Sequence, residues 1–324
     1  MRQVAWPGVI ATLQNADWKL IPLGSLLIVL TWGIFAVRWR VLLAPVASVG
    51  WLDTFSYIMI GYLGNAVLPL RLGDVARVTL MSRKHGINVG FTSATGILEK
   101  LLDVLTVVAL AGFLMLVVPI PELIRRGVQA ATVTTIGAFA ALVLLARSQT
   151  ALVRSESFLS SYLPPGVLEL VFGILRKFAQ GLQITRSLGQ MLKLSLLSLL
   201  SWGIASLSIW CYVRAFQLTI PWQAAALVLV VTNLGGAIPS SPGAIGVYEF
   251  LMMLALSVWL PDQSEALGCA TVTHAINLGL SVVLGLVAAW RGGVQLSTLT
   301  PGSPVARESD VESTWPKPIV LGED

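Results

Sequence analysis

GYLGNAVLPLRLGDVAR, residues 61–77, interrupts an otherwise apolar chain with glycine, proline and charge. Gly61 and Gly64 permit close helix approach. Pro69 breaks a helix and Gly73 permits an unusual backbone angle. Arg71, Asp74 and Arg77 follow at i, i+3 and i+6, so a helical stretch puts them on one side. A second interruption, GGAIPSSPGAIGVYEF at residues 235–250, has the same skeleton. Asn65-Ala-Val-Leu-Pro69 is followed by Gly73, and Gly235-Gly-Ala-Ile-Pro239 is followed by Gly243. Matching Pro/Gly interruptions in two halves of a membrane chain point to an internal repeat around a binding site. Broken backbone at membrane depth is tolerated where it is buried or lines a wet cavity. Two independent interfacial turns would give the same letters. The match leaves open whether the repeat is inverted or parallel.

Membrane-length apolar runs flank both interruptions. Leu20 to Val37 is the first, bordered by Trp18 and Trp39, which read as markers of the two headgroup levels. Others run over residues 51–70, 101–118, 127–146, 191–213, 222–238, 244–260 and 266–290. The expected fold is therefore all-α, a polytopic integral membrane protein of about eight transmembrane helices. Residues 167–184 alternate apolar and polar at helical spacing, which suits an amphipathic helix in the interface plane or one packed on the bundle. The membrane domain is expected to span residues 1–292. From Gly293 to Asp324 periodicity is lost and prolines recur, the pattern of a disordered tail.

Composition agrees. Of 324 residues, 56% are hydrophobic and 11% charged, against about 25% charged in a soluble domain. The mean hydropathy is +0.81. An ordinary soluble enzyme and a disordered protein are both excluded. The net charge of +5 sits mostly between apolar runs, which suits loops facing anionic lipid better than nucleic acid. Counting basic residues in alternate loops, with Arg38, Arg40, Arg125, Arg126 and Arg214 outside, places both termini in the cytoplasm. No cleavable leader is read at the N-terminus. Cys211 and Cys269 lie in apolar runs and read as small hydrophobes. His85 and His274 are far apart, and no CxxC, HExxH or Walker pattern occurs. The chain therefore calls for no metal or cofactor.

The charges within or beside spans need partners or tasks. Arg71, Asp74 and Arg77 can form a salt-bridged cap or hold a lipid phosphate. Glu99 and Asp103, four apart, share a helix face with Lys100 between them. They can lock onto the arginines or, as close carboxylates, carry a proton. We favour the lock for Glu99 and Asp103, and substrate contact for Arg71 and Arg77. Glu249 stands near a helix start, where a carboxylate is favourable. His274 and Asn277 share a face suited to polar contact between helices.

Three motifs in order carry a resemblance: Gly61 to Asn65 with Pro69, Arg71, Gly73, Asp74 and Arg77; then Glu99, Lys100 and Asp103; then Pro239, Pro242, Gly243, Gly246 and Glu249. Together they resemble the flippase-like transmembrane family, the membrane part of bacterial lysylphosphatidylglycerol synthases and their stand-alone relatives. Asp74 stands where Glu is commoner, Lys100 where Arg is commoner, and Ala244 where Gly is usual. The resemblance implies a protein of the cell membrane without the soluble aminoacyl-transfer domain, and hence no enzyme activity. It implies movement of a polar or anionic glyco-, phospho- or polyprenyl-type lipid between leaflets. Asn65, Arg71, Asp74, Arg77, Glu99, Lys100, Asp103 and Glu249 would contact substrate. Pro69, Gly73, Pro239, Pro242, Gly243 and Gly246 would form the gates. The expected partners are membrane lipids. The rival reading is a non-transporting scaffold or accessory subunit of a lipid-modifying enzyme. A membrane-embedded transferase using Asp74, Glu99 or Asp103 is the third, with no nucleophile or metal signature beside those acids.

Overall fold

Each apolar run folds as a helix because its backbone groups have no water to bond within lipid. The computed structural model describes residues 10, 14–68, 71–118, 122–147, 149–162, 164–166, 168, 169, 172, 173, 188–236, 241–260 and 263–294. Among these the elements are α1 (Leu20–Leu43), α2 (Trp51–Val67), α3 (Leu72–His85), α4 (Val89–Val117), α5 (Glu122–Arg147), α6 (Gln149–Leu159), α7 (Leu188–Ala215), α8 (Trp222–Gly235), α9 (Val247–Leu256) and α10 (Gln263–Gly292). No strand occurs among them, and the protein is an all-α, multi-pass membrane protein. The amphipathic segment 167–184 and the tail lie almost entirely outside the described residues. So do Pro69 and Pro239.

All eight expected runs hold a helix, but the helices are of two kinds. Helices α1, α4, α7 and α10 have 24, 29, 28 and 30 residues and are long and apolar enough to cross a membrane. In contrast, α3, α8 and α9 have 14, 14 and 10 residues. At 1.5 Å per residue these reach about 15–21 Å, well short of a core about 30 Å thick. They are paired instead: α2 packs along α3, and α8 along α9. Each pair is a hairpin. The first turns where Leu68 leaves the helix in an extended conformation and Arg71 adopts a left-handed one (φ 55°). The second turns through the short 3-10 segment Pro242–Ala244, with Gly243 at φ 65°. The arms of the first hairpin touch through glycine. A Cβ on Gly73 would lie 2.0 Å from the Gly61 carbonyl oxygen, and one on Gly64 would lie 2.6 Å from the Gly73 Cα.

Two apolar cores show which way each element runs. One gathers Ile21 of α1, the late residues of α4 and α7 (Leu114, Val213), the early residues of α10 (Ala266, Cys269), and the hairpin α8–α9. The other gathers the end of α1 (Trp39, Leu42), the start of α4 (Phe91), the start of α7 (Leu194), the end of α10 (Ala288, Ala289), and the hairpin α2–α3. The hairpins therefore enter from opposite ends of the bundle and return to the end they entered.

Helices α1 and α7 are antiparallel. Asp17 pairs with Ala215, Ser25 with Tyr212, Arg38 with Ser198, and Gln190 with Val41. The halves exchange contacts in the same sense, with α2 packed on α10 and α8 on α4. Leu188 starts α7 168 residues after Leu20 starts α1; Trp222 follows Trp51 by 171, and Gln263 follows Val89 by 174. The repeat of long helix, hairpin, long helix is thus inverted.

Two expectations about α1 are corrected. Helix α1 does not stop at Val37: no glycine or proline follows until Pro45, so it runs on to Leu43 and buries Arg38 and Trp39. Trp39 marks no headgroup level, since its indole N–H donates to Thr95 Oγ1 at 3.0 Å inside the bundle. The start of α1 and the end of α10 lie in different cores, at opposite ends. Counting every apolar run as a crossing would put them at one end, because the first hairpin holds a single such run, residues 51–70, and returns to the end it entered.

Candidate functional site

Arg38 reaches from the last turns of α1 into the space between α4 and α7. Its Nη1 donates to Asp103 Oδ1 at 2.7 Å and to Ser198 Oγ at 2.9 Å, and its Nη2 lies 3.9 Å from Glu99 Oε1. Glu99 takes a second partner from the first hairpin, Arg77 Nη2, at 3.1 Å. Arg77 Nε lies 3.6 Å from Asp74, and Asp74 lies 3.3 Å from Lys100. Arg77 also sits over the Trp39 ring at 4.7 Å, a cation–π contact in a desolvated setting. Trp202 donates its indole N–H to Asp103 at 3.1 Å. Arg38, Arg77 and Lys100 balance Asp74, Glu99 and Asp103, so the cluster carries no net formal charge. That balance is what makes six ionisable groups tolerable here. The cavity it encloses, about 20 Å³, is lined by these groups with Phe35, Ile58 and Tyr62. It has room for about one water and no headgroup.

The second feature is the meeting of the two hairpin tips. Arg71, the N-terminal flank of α3, donates from Nη2 to the Gly236 carbonyl at 2.7 Å. Leu278 of α10 and the Ala66 carbonyl stand 3.4 Å and 3.7 Å from where a Cβ on Gly243 would lie. Beside the junction Asn65 Oδ1 is buried with no hydrogen-bond partner among the described residues. Ala244 holds φ 56°, the left-handed region that favours glycine.

The third feature belongs to the second hairpin. Glu249 caps α9 by accepting from the Gly246 N–H at 2.7 Å, with Gly246 at φ 85°. Its other oxygen lies 2.6 Å from His274 Nδ1 on α10. Tyr248 stacks on His274 with centroids 4.5 Å apart. One turn along α10, Asn277 accepts from Tyr212 at 3.2 Å, and Tyr212 contacts Ser25.

The structure thus sorts the expected residues. Asp74, Arg77, Glu99, Lys100 and Asp103 come together; Asn65, Arg71, Gly73, Pro242 and Gly243 lie along the first hairpin and at the tips; Gly246 and Glu249 join His274. Arg77 is engaged on three sides here, whereas Arg71 stays exposed, with one guanidinium nitrogen bonded among the described residues. Sequence reasoning misses Arg38. The available signal is helical phase: Arg38 lies seven residues after Thr31, on the same face, and both are buried.

A family profile described as "Lysylphosphatidylglycerol synthase TM region" matches residues 1–285. The chain is similar to "Glycosyltransferase AglD" of Haloferax volcanii, 25% identical over 94% of this chain and 54% of that protein. The chain spans about half the length of that curated relative. No solved structure matches. The profile covers nearly all of the described bundle, both hairpins and the charged cluster, and the chain belongs to the lysylphosphatidylglycerol synthase TM region family.

Proposed function

We propose that this protein moves a lipid with a polar or anionic head between membrane leaflets, itself making and breaking no covalent bond. One observation carries the reading: two inverted hairpins enter from opposite ends and meet at mid-bundle through Arg71 and Gly236. Interrupted elements meeting near the midplane of an inverted repeat are the architecture of alternating access. Arg71 offers a phosphate its remaining donors. The six-charge cluster, buried at Arg38, Arg77 and Glu99 and open at Lys100, then serves as the lock that holds the first hairpin against α1, α4 and α7.

The orientation follows the excess of basic residues. The end of the bundle holding Gly292 carries Arg40, Arg83, Lys84, Lys193 and Arg291. The other end carries Lys19, Arg125, Arg126 and Arg214. We assign the Gly292 end to the cytoplasm, in the cell membrane.

The test is leaflet transfer in proteoliposomes. Head-labelled phosphatidylglycerol, phosphatidylethanolamine and a polyprenyl phosphate are compared by dithionite quenching. Wild-type protein should transfer at least one of them, and Arg71→Gly should slow that transfer tenfold or more. Folded protein that moves none of the three overturns the reading. The glycosyltransferase name of the Haloferax relative favours a second reading, a membrane module serving a lipid-modifying enzyme. A partner isolated from native membranes, with activity unaltered by Arg71→Gly, would support that instead.

A further inference from the structure

Each half ties the second arm of its hairpin to the next long helix through a polar pair at a matching place. In the first half this is Arg77 on α3 with Glu99 on α4, and in the second it is Glu249 on α9 with His274 on α10. The places correspond, since Glu99 is the eleventh residue of α4 and His274 the twelfth of α10. The chemistry does not. Arginine keeps its proton at any physiological pH, so the first pair is permanently ionic on its cationic side. Imidazole exchanges a proton near neutrality, so the second pair can change its net charge by one.

We propose that Glu249 and His274 form a proton-binding site that couples proton movement to motion of the second hairpin; this rests on the transport reading above. With a proton on the imidazole, the pair is carboxylate and imidazolium, net neutral, in a charge-assisted contact. When that N–H proton leaves to water, the pair holds one uncompensated negative charge. Such a charge is costly in an apolar bundle and cheaper where water reaches it. The neutral pair therefore suits the packed hairpin and the charged pair suits a hydrated one. The change has a mechanical outlet, because the same carboxylate caps α9 through Gly246, next to the Pro242–Ala244 turn.

The ionisable groups around the pair are few. Tyr248 stacks on the imidazole, Cys269 lies near Tyr248, and Tyr212 of α7 reaches α10 through Asn277. The packed arm α8 carries no ionisable side chain. Asp53 of α2 is engaged with His85, and Arg38 of α1 belongs to the charged cluster in the other half.

The chain has two histidines, so His85→Gln leaves His274 as the sole imidazole. Its protonation is read by NMR on 15N-histidine-labelled protein in nanodiscs, between pH 5 and 8.5. The expected result is a titration in that window, with a midpoint at least one unit lower, a tenfold loss of proton affinity, in Glu249→Gln. No titration in the window, or a midpoint unmoved by Glu249→Gln, overturns the proposal. In proteoliposomes, a pH gradient of two units should change the wild-type lipid transfer rate tenfold, and His274→Gln should abolish that dependence. Transfer that ignores the gradient, or a dependence that survives His274→Gln, overturns the proton site and leaves transport standing. Wild-type protein that moves no lipid overturns both. Should His274→Gln fail to fold, the titration of His274 in the His85→Gln protein decides.

Discussion

Replacing Arg38 with methionine removes one buried charge from a balanced cluster and leaves the helix backbone alone. Four of the six groups, Arg77, Lys100, Asp74 and Glu99, stay mutually paired. Asp103 loses its 2.7 Å partner and keeps the Trp202 indole; Glu99 loses its second cation; Ser198 loses a donor. Breaking a buried pair on one side costs about 3–5 kcal/mol, because the remaining charge is unpaired. At about 2 °C per kcal/mol for a chain this size, the expected fall in Tm is about 6–10 °C. Arg38→Met/Asp103→Leu removes both signs together. The remainder is again two cations and two carboxylates, so most of the loss should return, as when a buried pair is exchanged for apolar groups of similar volume. Intrinsic tryptophan fluorescence during thermal unfolding in detergent reads both variants, since eleven tryptophans report. As a control, Arg125→Ala removes a partner of Glu122 at the exposed start of α5 and should leave Tm unmoved. A single variant within 1 °C of wild type, or a double variant worse than the single, would refute the argument that charge balance holds the first hairpin in place.

Gly73→Ala puts a methyl 2.0 Å from the Gly61 oxygen; overpacking of this kind should cost about 3 kcal/mol, whereas Gly112→Ala meets nothing within 4 Å and should be neutral or gain about 0.5–1 kcal/mol. Melting of the two variants side by side checks this, and equal Tm values would contradict the close contact. Arg71→Gly keeps the left-handed backbone while removing the bond to Gly236, so it should lower lipid transfer with a Tm change under about 2 °C. Ala244→Gly relieves a left-handed non-glycine residue and should raise stability by about 1 kcal/mol; a lower Tm would count against the φ of 56°. Lys19→Cys and Arg291→Cys should be labelled from opposite sides of the membrane by an impermeant maleimide, since Cys211 and Cys269 are buried. Labelling of both from one side would overturn the inverted arrangement.

Much of this protein is legible in its residues alone. Apolar runs of membrane length demand helices because lipid leaves backbone groups no other partner, and every such run holds one. The matched Gly61 to Gly73 and Gly235 to Gly243 interruptions mark the hairpins, because proline, glycine and left-handed residues stop helices by local sterics alone. The pairing of Glu99 with an arginine of the first hairpin is also readable, since buried charge requires a partner.

Three matters are decided only by the tertiary structure. A hydropathy run does not say whether a helix crosses or turns back, and at α2, α8 and α9 that choice depends on contacts with segments far along the chain. The direction of the repeat needs the antiparallel contacts of α1 with α7. Arg38 looks like a loop charge because its partners, Asp103 and Ser198, are 65 and 160 residues away. Local sequence determines where a helix starts and stops, through short-range sterics and hydrogen bonding. Which charges meet, and from which face a hairpin enters, is a property of long-range packing that no local pattern encodes.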